Sequence, residues 1–223
     1  MGFATVAGGA RATKPITDIL LGNIAEGQIA KINENGTPTK FYVAKHNYES
    51  ALNGTGRTLL VRKDCYDKRA WHSSNVNAYA SSDIDSWLNS TYKNLLDADI
   101  QAAIGTTKFY YTPGNGDTTV GTLERAIFLL SCTELGRRAS YGNVEGTALS
   151  IASSLQIAYM NGSALAQWTR TPLKSFNTIA YFLNPAGDAG NNDCTKVFGA
   201  RPAFTLPSNT LVDETTMLLQ GVR

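Results

Sequence analysis

Two histidines, His46 and His72, and three cysteines, Cys65, Cys132 and Cys194, are the side chains best suited to proton transfer, metal binding or nucleophilic attack. His72 sits in Trp71-His72-Ser73-Ser74, just ahead of a helical segment, where a tuned acid or base could stand. No partner residue accompanies it, and a hydrogen-bonded structural histidine fits the motif better. The cysteines are far apart and odd in number, with no Cys-x-x-Cys spacing. They read as free, partly buried thiols, with a disulfide between two of them left open. The chain has no His-Glu-x-x-His, no Gly-x-Ser-x-Gly and no glycine-rich phosphate loop. Asn191-Asn192-Asp193 offers oxygens of the kind Ca²⁺ takes, but three on adjacent residues make a weak ligand set. Asp83, Asp85, Asp97 and Asp99 fall where a helix start and solvent explain them. These residues point to binding rather than catalysis, with no catalytic residue, no metal site and no cofactor.

The stretch best suited to binding runs from Trp168 to Pro207. Its two irregular segments, Pro172–Thr178 and Asn184–Lys196, are rich in Asn, Asp, Ser, Thr and Gly, which bond locally and favour turns. Polar loops with a few aromatic anchors on a rigid frame compose a recognition surface. Ordinary hairpin loops are the plainer reading of the same composition. On the recognition reading, Phe176, Phe182 and Phe198 are at least partly exposed on one face, ringed by Asn177, Asn191, Asn192 and Asp193. Arg170 and Arg201 are expected to be structural, each planar fork of donors holding several backbone carbonyls.

The elements that must position these residues follow from pattern and punctuation. Met1–Pro15 is Gly/Ala-rich without apolar periodicity. The chain divides into an arm over 1–18, one domain over 19–210 and a tail over 211–223. Gln28–Asn33 and Lys40–Lys45 read as strands joined through Asn35-Gly36. Thr58–Val61 reads as a strand through the core. Ser81–Ile104 carries the clearest helical stripe, capped by Ser82 with Asp85 three residues on; Asn89-Ser90-Thr91 and Asp97 are points where it could divide. Lys108–Thr112 is a short aromatic strand, and Arg125–Ser131 contains a central one. Ala148–Met160 is the expected second main helix, stopped by Asn161-Gly162. Strands over Trp168–Thr171, Tyr181–Asn184 and Val197–Leu206 complete an α+β domain with a mainly antiparallel sheet. Trp87, Leu88, Leu95, Leu129, Trp168 and Phe204 are expected to share its core.

Composition removes other classes. A hydrophobic fraction of 43% against 17% charged is that of a folded chain. No apolar run approaches the roughly 20 residues of a membrane helix, and no secretory leader opens the chain. Net charge is +2, and no basic stripe with interleaved aromatics occurs. That argues against a nucleic-acid partner.

Five ordered motifs carry a resemblance: Trp71-His72-Ser73-Ser74-Asn75-Val76, Ile84-Asp85-Ser86-Trp87-Leu88-Asn89-Ser90, Ile127-Phe128-Leu129-Leu130-Ser131, Trp168-Thr169-Arg170-Thr171-Pro172 and Phe198-Gly199-Ala200-Arg201-Pro202-Ala203. Together, from about Ile19 to Leu206, they are similar to a domain family of unknown function common in gut Firmicutes and their phages. The closing part also resembles the C-terminal core of C-type-lectin-like folds, which include formylglycine-generating enzymes and the variable proteins of diversity-generating retroelements. The enzyme branch needs a reactive cysteine pair, which Cys194 alone does not supply. The variable-protein branch implies a fixed fold with diversified surface positions: Ser175, Phe176, Asn177, Thr178, Ile179, Phe182, Asp188, Asn191, Asn192, Asp193 and Phe198. Lys174 and Lys196 cannot arise from an AAC codon by adenine changes, so the whole loop is not variable. The resemblance implies a non-enzymatic ligand-binding domain on a phage virion surface, touching a host-surface protein or glycan through loops 173–198. It further implies other virion proteins as partners and a homo-oligomer, a trimer first, attached through the N-terminal arm. A purely architectural virion component is the alternative.

Overall fold

In the computed structural model, which describes residues 17–222, the longer elements are strands. In chain order they are β1 (Asp18–Leu20), β2 (Ile29–Glu34), β3 (Thr37–His46), α1 (Ser50–Asn53), β4 (Arg57–Arg62), β5 (Asp67–Ala70), α2 (Asp83–Trp87), α3 (Ala98–Ala103), β6 (Thr107–Tyr111), β7 (Gly121–Arg125), α4 (Ala152–Leu155), β8 (Ala158–Met160), β9 (Ser163–Leu165), β10 (Gln167–Pro172), β11 (Ile179–Leu183), β12 (Ala189–Asp193), β13 (Val197–Ala200), β14 (Ala203–Pro207), β15 (Thr210–Asp213) and β16 (Leu219–Val222). Asn35 and Gly36 take φ of 49° and 72°, the two left-handed positions of a type I′ turn, and so join β2 to β3. β4 is apolar and buried over Thr58–Val61 because it is central, between β3 and β14 in a four-stranded sheet ordered β14-β4-β3-β2. A five-stranded sheet, ordered β12-β11-β10-β13-β5, carries the C-terminal region. Its β10–β13 pair is parallel, and its other pairs are antiparallel. The result is an α+β arrangement of mostly antiparallel sheets with a few short helices.

The helical expectations fare differently: the division left open at Asn89-Ser90-Thr91 and Asp97 occurs, and the second main helix does not form. Ser82 caps α2 by accepting from the Asp85 amide at 3.2 Å, as its motif requires. The helix then widens to a π-helical turn over Leu88–Tyr92 and tightens to a 3₁₀ turn over Lys93–Leu95 before α3. Asn89 gives the cause: its amide group pairs with the Ile127 backbone on both sides, at 2.8 and 3.0 Å, and also holds the Asp85 carbonyl. A side chain drawn into the ladder displaces the regular bonds. In place of the second main helix over Ala148–Met160 there is only α4, followed by the β8–β9 hairpin. Asn161 and Gly162, with φ of 52° and 79°, form its two-residue turn rather than a helix stop.

Ala126–Leu130 is also corrected. The sheet strand is β7, which ends at Arg125 and pairs with β6. Ile127–Leu130 is buried, but side chains satisfy much of its backbone: Asn89 at Ile127, the Tyr79 hydroxyl at the Leu129 amide, and Arg170 at the Leu129 carbonyl. Only Phe128 makes a strand-like bridge, to Ala203.

Trp87, Leu88, Leu129, Trp168 and Phe204 lie in one core, with Leu95 packed against its edge. Burying each such side chain contributes roughly 1.5–3 kcal/mol. Most of the expected arm lies outside the described residues, but its last residue, Asp18, opens β1. Within the expected tail, β15 and β16 form a three-stranded sheet with β1.

Candidate recognition face

β10 is buried along its whole length, and Arg170 shows why a cation is tolerated there. Its Nη1 donates to Glu134 at 2.6 Å and to the Leu129 carbonyl at 2.8 Å, while Nε donates to the Tyr110 carbonyl at 3.1 Å. The guanidinium also lies 4.6 Å from the Phe109 ring centre. Burial works against its charge, yet Glu134 more than offsets this and keeps it firmly protonated. Glu134 also accepts from the Tyr48 hydroxyl and the Ser131 amide. Glu145, fully buried, accepts from the Thr112 amide at 2.6 Å and the Thr171 hydroxyl at 2.7 Å. This network fixes the end of β10 and the segments beside it.

The loop that leaves β10 is held from beneath by Asn77, a buried residue. Its Nδ2 lies within 3.0 Å of the Leu173, Phe176 and Ile179 carbonyls, and its amide donates to the Asn177 carbonyl at 2.7 Å. Leu173 N bonds Ile179 O and Cys194 N bonds Thr178 O, each at 2.9 Å. The carbonyls of Leu173 and of residues 176–179 are thus bonded inward, while Lys174, Ser175, Phe176, Asn177 and Thr178 are all exposed.

Asn77 Oδ1 accepts from the Asn115 amide at 2.7 Å, which draws in the 113–120 loop. Gly114 permits this approach, because a Cβ there would lie 2.0 Å from the Asn77 carbonyl oxygen. A third loop joins where Lys174 N bonds Tyr141 O at 2.9 Å and Asn143 Nδ2 bonds Thr118 O at 2.6 Å. On these tied loops stand Val120, Tyr141, Val144 and Phe176, exposed by 40%, 65%, 74% and 58%. Four large apolar side chains are thus left in solvent on loops with an ordered backbone. A hollow of about 270 Å³ lies between Val120, Val144 and Tyr110.

The residues singled out in sequence do not share one surface. Ser175, Phe176, Asn177 and Thr178 belong to the loop face. Phe182 and Phe198 meet at 4.4 Å between ring centres and pack on Trp168, half-buried on the five-stranded sheet. Phe176 makes no ring contact with them among the described residues. Asp188 is exposed in the β11–β12 turn, at the opposite end of β11 from Phe176, with Arg137 at 3.6 Å. Asn191, Asn192 and Asp193 lie along β12, opposite Tyr181, Ala180 and Ile179. Strand alternation therefore sends Asn192 to one face and the other two to the opposite one. Their oxygens do not converge, so the Ca²⁺ reading is dropped.

The chemistry-bearing residues are tied down elsewhere. Cys65, Cys132 and Cys194 are buried free thiols, pushed up by burial to about 11, 12 and 12 and so protonated at neutral pH. His46 Nε2 donates to the Ile24 carbonyl at 2.9 Å, which leaves Nδ1 to accept from Thr58 at 2.9 Å. His72 Nδ1 accepts from the Ser74 amide at 3.2 Å.

A family model described as Domain of unknown function (DUF6273) matches residues 55–208, more than half of the chain. The chain belongs to this family. No curated protein and no solved structure matches it. The DUF6273 match begins later than the expected Ile19 and takes in β4 to β14, with all three loops of the face and Asn77. Sequence reasoning marked Pro113–Thr119 as a Gly/Asn/Asp loop but assigned neither it nor 139–146 nor Asn77 to the site. The available signal was Val120, Tyr141 and Val144 standing in Gly/Asn-rich segments with no helix or strand period to bury them.

Proposed function

We propose that this DUF6273 chain is a non-enzymatic recognition module that binds a macromolecular surface through the face of Phe176, Tyr141, Val144 and Val120. One observation carries the reading: five consecutive residues, 174–178, are exposed while Asn77 and its neighbours hold the carbonyls of Leu173 and residues 176–179 inward. Side-chain identity in such a loop can change without loss of backbone bonds, which suits a scaffold that varies its target. The resemblance to C-type-lectin-like variable proteins supports the same reading. It adds a virion-surface setting, a host-surface protein or glycan as ligand, other virion proteins as neighbours and a homotrimeric assembly. Binding of the labelled chain to a glycan array and to intact host cells tests the module. Variants from other copies of the locus give a second readout. Changes concentrated at 175–178, 141–144 and 120, with altered array profiles, are the expected result. Changes spread evenly over the surface, with no binding in either assay, would indicate an architectural part instead.

A further inference from the structure

A hollow of about 310 Å³ opens where β3 and the Lys63-Asp64 segment meet the α4 to β9 region, lined by Tyr42, Lys63, Asp64, Ser154, Tyr159 and Arg201 among others. Its volume is at the lower end of the range for small-molecule clefts, about 300–1,000 Å³. Arg201 is buried, and the bonds of its guanidinium run to neutral groups. Nε donates to the Arg62 carbonyl at 2.8 Å, Nη1 to the Leu155 carbonyl at 2.7 Å and Nη2 to the Lys63 carbonyl at 2.6 Å. Those bonds fix the planar fork without neutralising it, and among the described residues no carboxylate lies within ion-pair distance of it. Arg170, by contrast, has Glu134 at 2.6 Å. Burial accordingly pulls the Arg201 guanidinium below its usual value. Lys63 lines the same hollow and likewise makes no ion pair among the described residues. Against these two cations stands one acid, Asp64. A buried charge is normally paired, and one anion entering here would balance the excess.

We propose that this hollow binds a small ring-bearing carboxylate, with a hexuronate as the committed ligand class. The carboxylate is held by Arg201 and Lys63, the ring hydroxyls by Asp64 and Ser154, and the ring by the two tyrosines. Tyr159, on β8 and exposed by 42%, is the flank that solvent already reaches. None of these residues belongs to the loop face, so the hollow stands or falls separately from it.

The test is calorimetric titration of the full chain with glucuronate, glucose, acetate and inorganic sulfate, up to about 10 mM, the range of weak sugar binding. Glucuronate is expected to bind saturably, glucose not at all and acetate more weakly. Lys63→Gln should lower glucuronate affinity about tenfold or more, the worth of one charge-assisted hydrogen bond. Tyr159→Ala should lower affinity for glucuronate while leaving acetate unchanged. Both substitutions are at solvent-reached side chains, so neither depends on disturbing the Arg201 fork. A uronate-ended oligosaccharide binding more tightly than the free sugar would assign the hollow to a glycan chain, and the reverse order to a free metabolite; either upholds the site. No saturable binding, equal titration by glucose, or sulfate binding as tightly as glucuronate with no effect of Tyr159→Ala would overturn it.

Discussion

Arg170 and Arg201 are both buried forks, and they differ in what answers the charge. Removing Arg170's geometry with lysine leaves Glu134 facing a point charge and strands the Leu129 and Tyr110 carbonyls. Leaving a buried carbonyl unmet costs about 1–3 kcal/mol, so Arg170→Lys, which keeps the charge but loses the fork, should unfold at markedly lower urea. Arg201→Lys loses at least two of three carbonyl bonds, at about 0.5–1.5 kcal/mol each, and should lower Tm by several degrees. An unchanged Tm for Arg201→Lys would contradict its structural role. Asn77→Ala should cost about 1–3 kcal/mol by leaving the buried Leu173 carbonyl without its donor and loosen the 173–178 loop, seen as faster amide exchange at Lys174 and Cys194. The arginines were legible in sequence because a guanidinium flanked by apolar strand residues must find carbonyls or carboxylates. Asn77 was not, since asparagine serves equally in an exposed turn and in a buried hub.

Among elements, the β-strands were legible wherever a turn or an apolar run fixed them, as at Asn35-Gly36 and Thr58–Val61. The helices were drawn too long for two reasons. The Ala148–Met160 window has helical spacing, but Asn161-Gly162 serves a hairpin as well as a helix end, and the pairing of Ala158 with Leu165 decides between them. Ser81–Ile104 carries a true apolar stripe, yet its backbone yields to Asn89. Within α2, Asp85 gives a pH signature. Burial outweighs the hold of Arg125 at 2.7 Å and pushes its carboxyl up to about 6, against about 3.9 when unfolded. A raised folded value means that the native state binds the proton more tightly. The associated stability is full below about pH 3.9 and lost as pH rises through about 6. Urea unfolding at pH 4 and pH 7.5 should therefore show the wild type losing more stability over that interval than Asp85→Asn, by on the order of 2 kcal/mol. Parallel profiles would mean that Asp85 titrates as an ordinary carboxylate.

At the scale of the molecule, the class and much of the shared core were readable from periodicity, and membership of a domain family of unknown function from five ordered motifs. The site was half readable. Composition marked the 173–178 loop, but no sequence pattern tells that loops 113–120 and 139–146 lie beside it, because Asn77, Asn143 and Lys174 make those contacts across long separations. Nor does composition reveal that β11 separates Asp188 from Phe176. Asp18–Leu20, which the sequence places at the join of arm and domain, is part of the fold: β1 pairs with β15. Deleting residues 1–15 should leave Tm unchanged, whereas deletion through Leu20 should lower it by removing β1. Sedimentation velocity on the shorter deletion also checks the proposed trimer, since loss of assembly with retained folding ties oligomerisation to the arm. The central claim is that the loop face binds while its backbone stands independent of the exposed side chains. Paired measurement of Tm and host-cell binding for Phe176→Ala tests this most directly. The expected result is a Tm within about 1 °C of wild type, as for surface substitutions, and binding weakened about thirtyfold, a hot-spot loss of about 2 kcal/mol. Undiminished binding, or a fall in Tm as large as that from a core truncation, would contradict it.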